Sequence, residues 1–472
     1  MTTIYEDVIR KQPFAYNTDA MPAPTLVTQT VYAELLERCA SAAFSAAFTD
    51  DGVFTSKTIK GRKYWYFQSS SSEGRTQKYV GPETPDLLKQ IESHRAARDD
   101  ERERRALVST LVRSFGLPRP IPEIGNTISA LAKAGVFRLR GVLVGTVAYQ
   151  TYPAMLGEKL PIQMLTTGDI DIAQFKTVSV AIEDRTSPVI DILRETDKTF
   201  RAVPNLHKRE RTTSYQAKGG LRVDFLTPNE GPDTDSPEAL PAFQTDARPL
   251  RFLDYLLYEP EPAVVLHDAG VYVLVPAPQR YALHKLIISR RRKEGAVKRD
   301  KDIRQADALL ELLADKRPNE LKIAWDEALR RGQGLKSLLL EGASQLSARS
   351  RDAMLKTVGA RRNIIPGIDL MFNNPAPRYD FSRDIVEFVG ESIGRPVRCA
   401  ISREALDDHF GTDNRDNHGR IESFLEKRSQ IEAMIRVKFL TSPIEELESV
   451  LVKTIDVPEL MRKISVKPSR RK

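Results

Sequence analysis

Cysteine and histidine are scarce: two and six among 472 residues. Cys39 and Cys399 lie far apart with no metal-ligand spacing, which argues against a zinc site or a disulfide framework and fits a reducing cytoplasm. Six scattered histidines also argue against a His-based metal centre. No uninterrupted apolar run is long enough to span a bilayer, so no membrane partner is expected. The N-terminus, MTTIYEDVIRK, carries acidic residues and no apolar core, which excludes a secretory signal. No internal repeat is visible. These absences describe a cytoplasmic globular protein.

Basic charge is what the chain has in excess. Its net charge is +8 and its pI near 9.2, a balance that suits a polyanion such as nucleic acid or nucleotide phosphate. Hydrophobic residues make up 41% and charged residues 29%, and the length suggests roughly two to four domains.

Residues 1–105 read as a helix around TVYAELLERCASAAFSAAF followed by a β-meander. The meander interleaves Tyr64, Trp65, Tyr66 and Phe67 with Arg62, Lys63, Arg75 and Lys78. Such a sheet can stack bases and grip phosphates, or simply pack on its neighbours. A long charged helix, LLKQIESHRAARDDERERRALVSTLVRSF, leads into an α/β unit over residues 106–275. There FRLRGVLVG reads as a strand, TVAYQTYPAMLG as a helix closed by Gly157, and GDIDIA as a second strand. SPVIDILRET reads as a helix with Ser187 as N-cap and Pro188 at its first position. TFRAVPN, RTTSYQAK and LRVDFLTP are three further strands, with a turn at Lys218–Gly220. Residues 276–365 are helical. A small α+β domain over 376–465 turns a hairpin at Gly394 and caps a helix with Ser402, and 466–472 form a basic tail. The fold class expected is α/β, of the α+β kind.

One stretch, TTGDIDIAQF, carries the chemistry. Alternate residues of a strand share a face, so Asp169 and Asp171 line one side while Ile170 and Ile172 bury on the other. Two carboxylates roughly 7 Å apart along a strand repel and lose hydration. One divalent cation, or a pair about 3.5–4 Å apart, would compensate. LRVDFLTP offers a third carboxylate, Asp224, opposite the apolar Leu221, Val223 and Phe225. Read blandly, Asp224 answers Arg222 on an edge strand. Upstream, LVGTVAYQ places a Gly-Thr turn between strand and helix, where exposed N–H groups suit phosphate.

Gly-Thr at a strand end, Asp-x-Asp, then an isolated strand Asp resembles the DNA polymerase beta-type nucleotidyltransferase superfamily. The chain is more closely similar to a bacterial family of nucleotidyltransferase fold that shares TGDIDIA and a later ALHKL…KD…QA region; here that region begins YALHKLIISRRRK. The resemblance covers about residues 137–313. It implies a magnesium-dependent enzyme, with two ions and manganese as an alternative, that moves an NMP from an NTP such as ATP onto a hydroxyl. It implies that Gly145 and Thr146 contact the triphosphate, that Asp169, Asp171 and Asp224 bind metal, and that Lys285 neutralises phosphate charge. Lys301 and Asp302 match a second helical motif without an assigned role. Thr146 stands where the superfamily more often has Ser, and the Gly145–Asp169 gap is longer than usual. RNA or tRNA is the acceptor expected from the basic balance and the meander, with a protein side chain or a small molecule left open, and related families act in toxin–antitoxin and phage-defence systems. The bland readings are a snorkelling Lys285 and an Asp302 paired with Lys298 in an i,i+4 contact. A non-catalytic nucleic-acid binder that keeps the fold is the alternative from another class. The C-terminal segment from Gly394 on, GRPVRCAISREALDDHFG, resembles a small bacterial domain of unknown function; there Asp407, Asp408 and His409 read as a surface cluster and Cys399 as a buried residue.

Overall fold

The computed structural model describes residues 26–47, 52–59, 61–71, 74–93, 101–161, 167–204, 211–292, 295–373, 376–413, 415–443 and 450–465. Parts of the expected charged helix (94–100), the Gly145–Asp169 insertion (162–166) and the basic tail (466–472) lie outside them.

The architecture is mixed α/β. An antiparallel meander comes first: β1 (Gly52–Ile59), β2 (Arg62–Ser71) and β3 (Gly74–Pro82). A register shift between Trp65 and Tyr66 interrupts the alternation of β2, and adjacent Tyr66 and Phe67 are both buried. Phe67 is buried and packs against Phe54, while Trp65 donates to Glu83 at 2.8 Å with Lys63 above its ring. The meander docks on the central unit through Arg138, which binds both Asp184 and the Tyr79 carbonyl. Phe67 and Trp65 thus have packing and pairing partners within the meander and its flank.

Of the expected long helix the described residues show Pro85–Ser93 and Glu101–Ser109, the latter running into a wide turn at Thr110–Ser114. Pro118 and Pro120 then forbid continuation. The strand expected from Phe137 is also shorter. Residues 137–140 form a turn with Arg140 at φ +69°, and only β4 (Val142–Val144) is extended.

The central sheet follows with β5 (Asp169–Ala173), β6 (Arg201–Ala202), β7 (Ser214–Gln216), β8 (Arg222–Pro228), β9 (Glu238–Leu240) and β10 (Thr245–Leu250). Its main path is β4-β5-β8-β10-β9. β5 runs antiparallel to β4 and parallel to β8. The other edge of β8 is covered by β7 over its first half and by β10 over its second. β8 is therefore an interior strand. The helix after Ser187 spans Val189–Thr196, with Pro188 rather than Ser187 at the cap.

A hairpin of β11 (Glu261–Val265) and β12 (Val271–Val275) supports helix Leu26–Ala47, where Tyr32 accepts the Val264 N–H at 3.1 Å. Helices Pro278–Arg291, Ala296–Lys316, Pro318–Arg330, Gln333–Ala343 and Ala348–Val358 then build the helical layer. Gly342 lets two of them approach: a Cβ there would lie 2.4 Å from the Leu286 carbonyl oxygen. The last sheet is β13 (Arg378–Asp380), β14 (Ile385–Ser392), β15 (Arg395–Ser402) and β16 (Val450–Val452). Its hairpin turns through Ile393 and Gly394, and Ser402 caps the next helix by accepting the Ala405 N–H at 3.2 Å. Cys399 is buried, and Asp407 is held by Arg420 and Thr412.

Candidate active site

β5 puts Ile170 and Ile172 fully into the core, which forces Asp169 and Asp171 onto the opposite face. In the parallel register Asp171 stands directly across from Asp224, and Asp169 across from Arg222. On its other side Asp171 pairs with Val144, the residue before Gly145. Pairing on both sides thus brings the Gly-Thr turn, the Asp-x-Asp strand and the third aspartate to one place.

Gly145 sits at φ +69°, and a Cβ there would lie 2.2 Å from Asp171 Oδ2. The glycine is required both by its backbone and by the carboxylate pressed against it. Thr146 follows in a short helix, Gly145–Tyr149.

Burial, then the Asp224 and Asp169 charges, push the Asp171 carboxyl up to about 6; Lys285 and Arg248 act in the opposite direction. Asp224 accepts hydrogen bonds from Ser214 Oγ and, at 2.9 Å, from Arg222 Nε. The pairing with Arg222 is present, but on an interior strand rather than an edge.

Lys285 does not snorkel. Its side chain is 9% exposed and its Nζ lies 2.7 Å from Asp302 Oδ1. Asp302, 3% exposed, also receives Arg292 Nε at 2.6 Å. The pairing of Asp302 with Lys298 that helical spacing allows is replaced by these two contacts, because Asp302 points into the layer between helices. Lys301 lies within electrostatic reach of Lys285, Asp302 and Asp169; burial and Lys285 lower its pKa.

Tyr281, one turn before Lys285, ties this helix to the turn: its hydroxyl donates to the Gly145 carbonyl at 3.0 Å and stands 3.1 Å from Gln305 Oε1. Its i,i+4 spacing from Lys285 was the signal available in sequence. Arg248 had none. On β10 it pairs with Leu226 of β8, which places it on the Asp224 face of the sheet.

Among the described residues, no three His, Cys, Asp or Glu side chains form a ready metal-holding cluster. The donor chemistry nonetheless fits a hard divalent cation. Asp171 and Asp224 face each other, Asp169 is two residues away, and their mutual repulsion is what such an ion relieves. Asp224 would have to turn from Ser214 and Arg222 to join the other two.

Together these features define an α/β protein with three carboxylates beside a glycine turn and a buried lysine behind them. Residues 123–330 match the family model described as nucleotidyltransferase, and every residue of this constellation lies inside that span. That domain supports a transferase acting on an NTP. Residues 370–450 match a protein family of unknown function, DUF1488. No curated protein and no solved structure matches the chain. No helix among the described residues is long and apolar enough to cross a membrane.

Proposed function

We propose that the protein is a magnesium-dependent nucleotidyltransferase that moves an NMP from an NTP onto a hydroxyl of an RNA acceptor. The observation that carries this reading is the direct opposition of Asp171 and Asp224 beside Gly145. Mutually repelling carboxylates on an interior strand pair cost stability, and a site for cations and phosphate gives them a purpose.

Asp169, Asp171 and Asp224 would hold the ions, which when bound neutralise charge on the transferring phosphate. Gly145 and Thr146 present backbone N–H groups to the triphosphate, and Tyr281 fixes the turn from behind. Asp224 faces the acceptor and takes the proton of its hydroxyl as that oxygen attacks the α-phosphorus in line and pyrophosphate leaves. Lys285 and Lys301 offset phosphate charge from the helical side.

A non-catalytic nucleic-acid binder is the second reading. It is favoured by Asp224 already being satisfied by Arg222 and Ser214. Incubating the protein with magnesium, each α-labelled NTP and total RNA separates the two. Transfer of label to RNA supports the enzyme and identifies nucleotide and acceptor; an RNA mobility shift with no transfer supports the binder.

A further inference from the structure

Away from the carboxylates, a cleft of about 860 Å³ opens between helix Pro122–Lys133, helix Val189–Thr196, the segment from Arg105 to Pro120 and the β11–β12 turn. None of the residues placed in the active site lines it. Its charge is one-sided. Arg105 is committed to Asp268 at 2.9 Å and to Glu101. Arg113, Arg119 and Lys133 form no ion pair and donate no side-chain hydrogen bond among the described residues, and Glu195 is the one other carboxylate along the walls. His267 adds no charge at neutral pH: its ring packs on Gly125, its Nε2 lies 2.9 Å from Asn126 Oδ1, and burial lowers its pKa.

We propose that this cleft binds the phosphate backbone of the nucleic-acid acceptor. Three such cations, two in the Arg105–Pro120 segment and one at the end of helix Pro122–Lys133, suit successive phosphates better than a single anion. Arginine is suited to such contacts by its planar, multiply donating head. Apart from His267 the walls carry no aromatic ring, so the cleft lacks the platforms on which bases stack. Contact is therefore to backbone and independent of sequence. The inference rests on the nucleic-acid reading above and adds a docking site outside the chemistry.

The test is fluorescence anisotropy of a labelled RNA hairpin with the full chain, without NTP or magnesium, across a salt series. The triple variant Arg113→Gln/Arg119→Gln/Lys133→Gln should reduce the slope of log affinity against log salt by about 2–3, since each phosphate contact contributes about 0.7–0.9. Arg113→Lys/Arg119→Lys, which keeps the charge, should keep the slope and so separates charge from folding. The control Arg395→Gln/Arg398→Gln/Lys427→Gln, exposed in the C-terminal region, should match wild type. An unchanged slope in the cleft variant, or an equal loss in the control, overturns the proposal. A variant that keeps wild-type slope in a protein that labels RNA refutes the cleft alone. A lost slope in a protein that transfers no nucleotide refutes only the transfer reading.

Discussion

Asp171 and Gly145 are locked together: the carboxylate occupies the space where a side chain at 145 would begin, with Oδ2 2.2 Å from an added Cβ. Gly145→Ala therefore meets two penalties, the clash and a positive φ. We expect urea unfolding to show a loss of about 2–4 kcal/mol and nucleotide transfer to disappear. A stable, active Gly145→Ala protein would mean that Asp171 does not stand where it is placed.

Asp171→Asn separates stability from activity. The carboxyl is pushed up to about 6 by burial and by two neighbouring aspartates, so its charged form is disfavoured in the folded protein at neutral pH. Removing that charge should stabilise the ion-free protein by up to about 3 kcal/mol, because each pK unit is worth about 1.4 kcal/mol. Thermal melts in the presence of a chelator read this. A lower melting temperature for the variant contradicts the crowding.

The Lys285–Asp302 pair makes a different demand. Asp302→Leu strands a buried ammonium ion and deprives Arg292 of its partner, at about 3–5 kcal/mol. Adding Lys285→Met should recover most of that loss while leaving the protein inactive. A double variant that regains activity would remove Lys285 from the phosphate site.

Stability should also fall in acid through His284. Burial, reinforced by the Lys285 charge, holds its pKa down to about 3, and its Nε2 has no hydrogen-bond partner among the described residues. Below about pH 6.5 the unfolded chain takes up a proton that the folded chain refuses. This contribution is intact above that pH and is lost as pH falls toward 3. Between about pH 7 and about pH 5 it amounts to about 2 kcal/mol. His284→Leu should flatten that part of the profile in denaturant titrations; an unchanged profile places the histidine elsewhere.

Much of the site was legible because strand alternation is a two-state signal. Ile170 and Ile172 must go inward, so Asp169 and Asp171 must go outward, and the same logic places Asp224. The sequence also revealed the C-terminal hairpin and its Ser402 cap, both local devices. It did not show that β8 is interior, since that depends on β7 and β10 docking from distant positions. For the same reason the sequence offered Asp302 only Lys298, four residues away, and not Lys285, seventeen residues away on another helix. Arg248 reaches the carboxylates only through the β8–β10 register.

The central claim is that the three aspartates transfer a nucleotide. Its most direct measurement is the rate at which α-label from an NTP enters RNA, compared between wild type and Asp171→Asn at equal, verified folding. We expect transfer in the wild type and a loss of at least about a hundredfold in the variant. Equal rates in the two proteins would contradict the account.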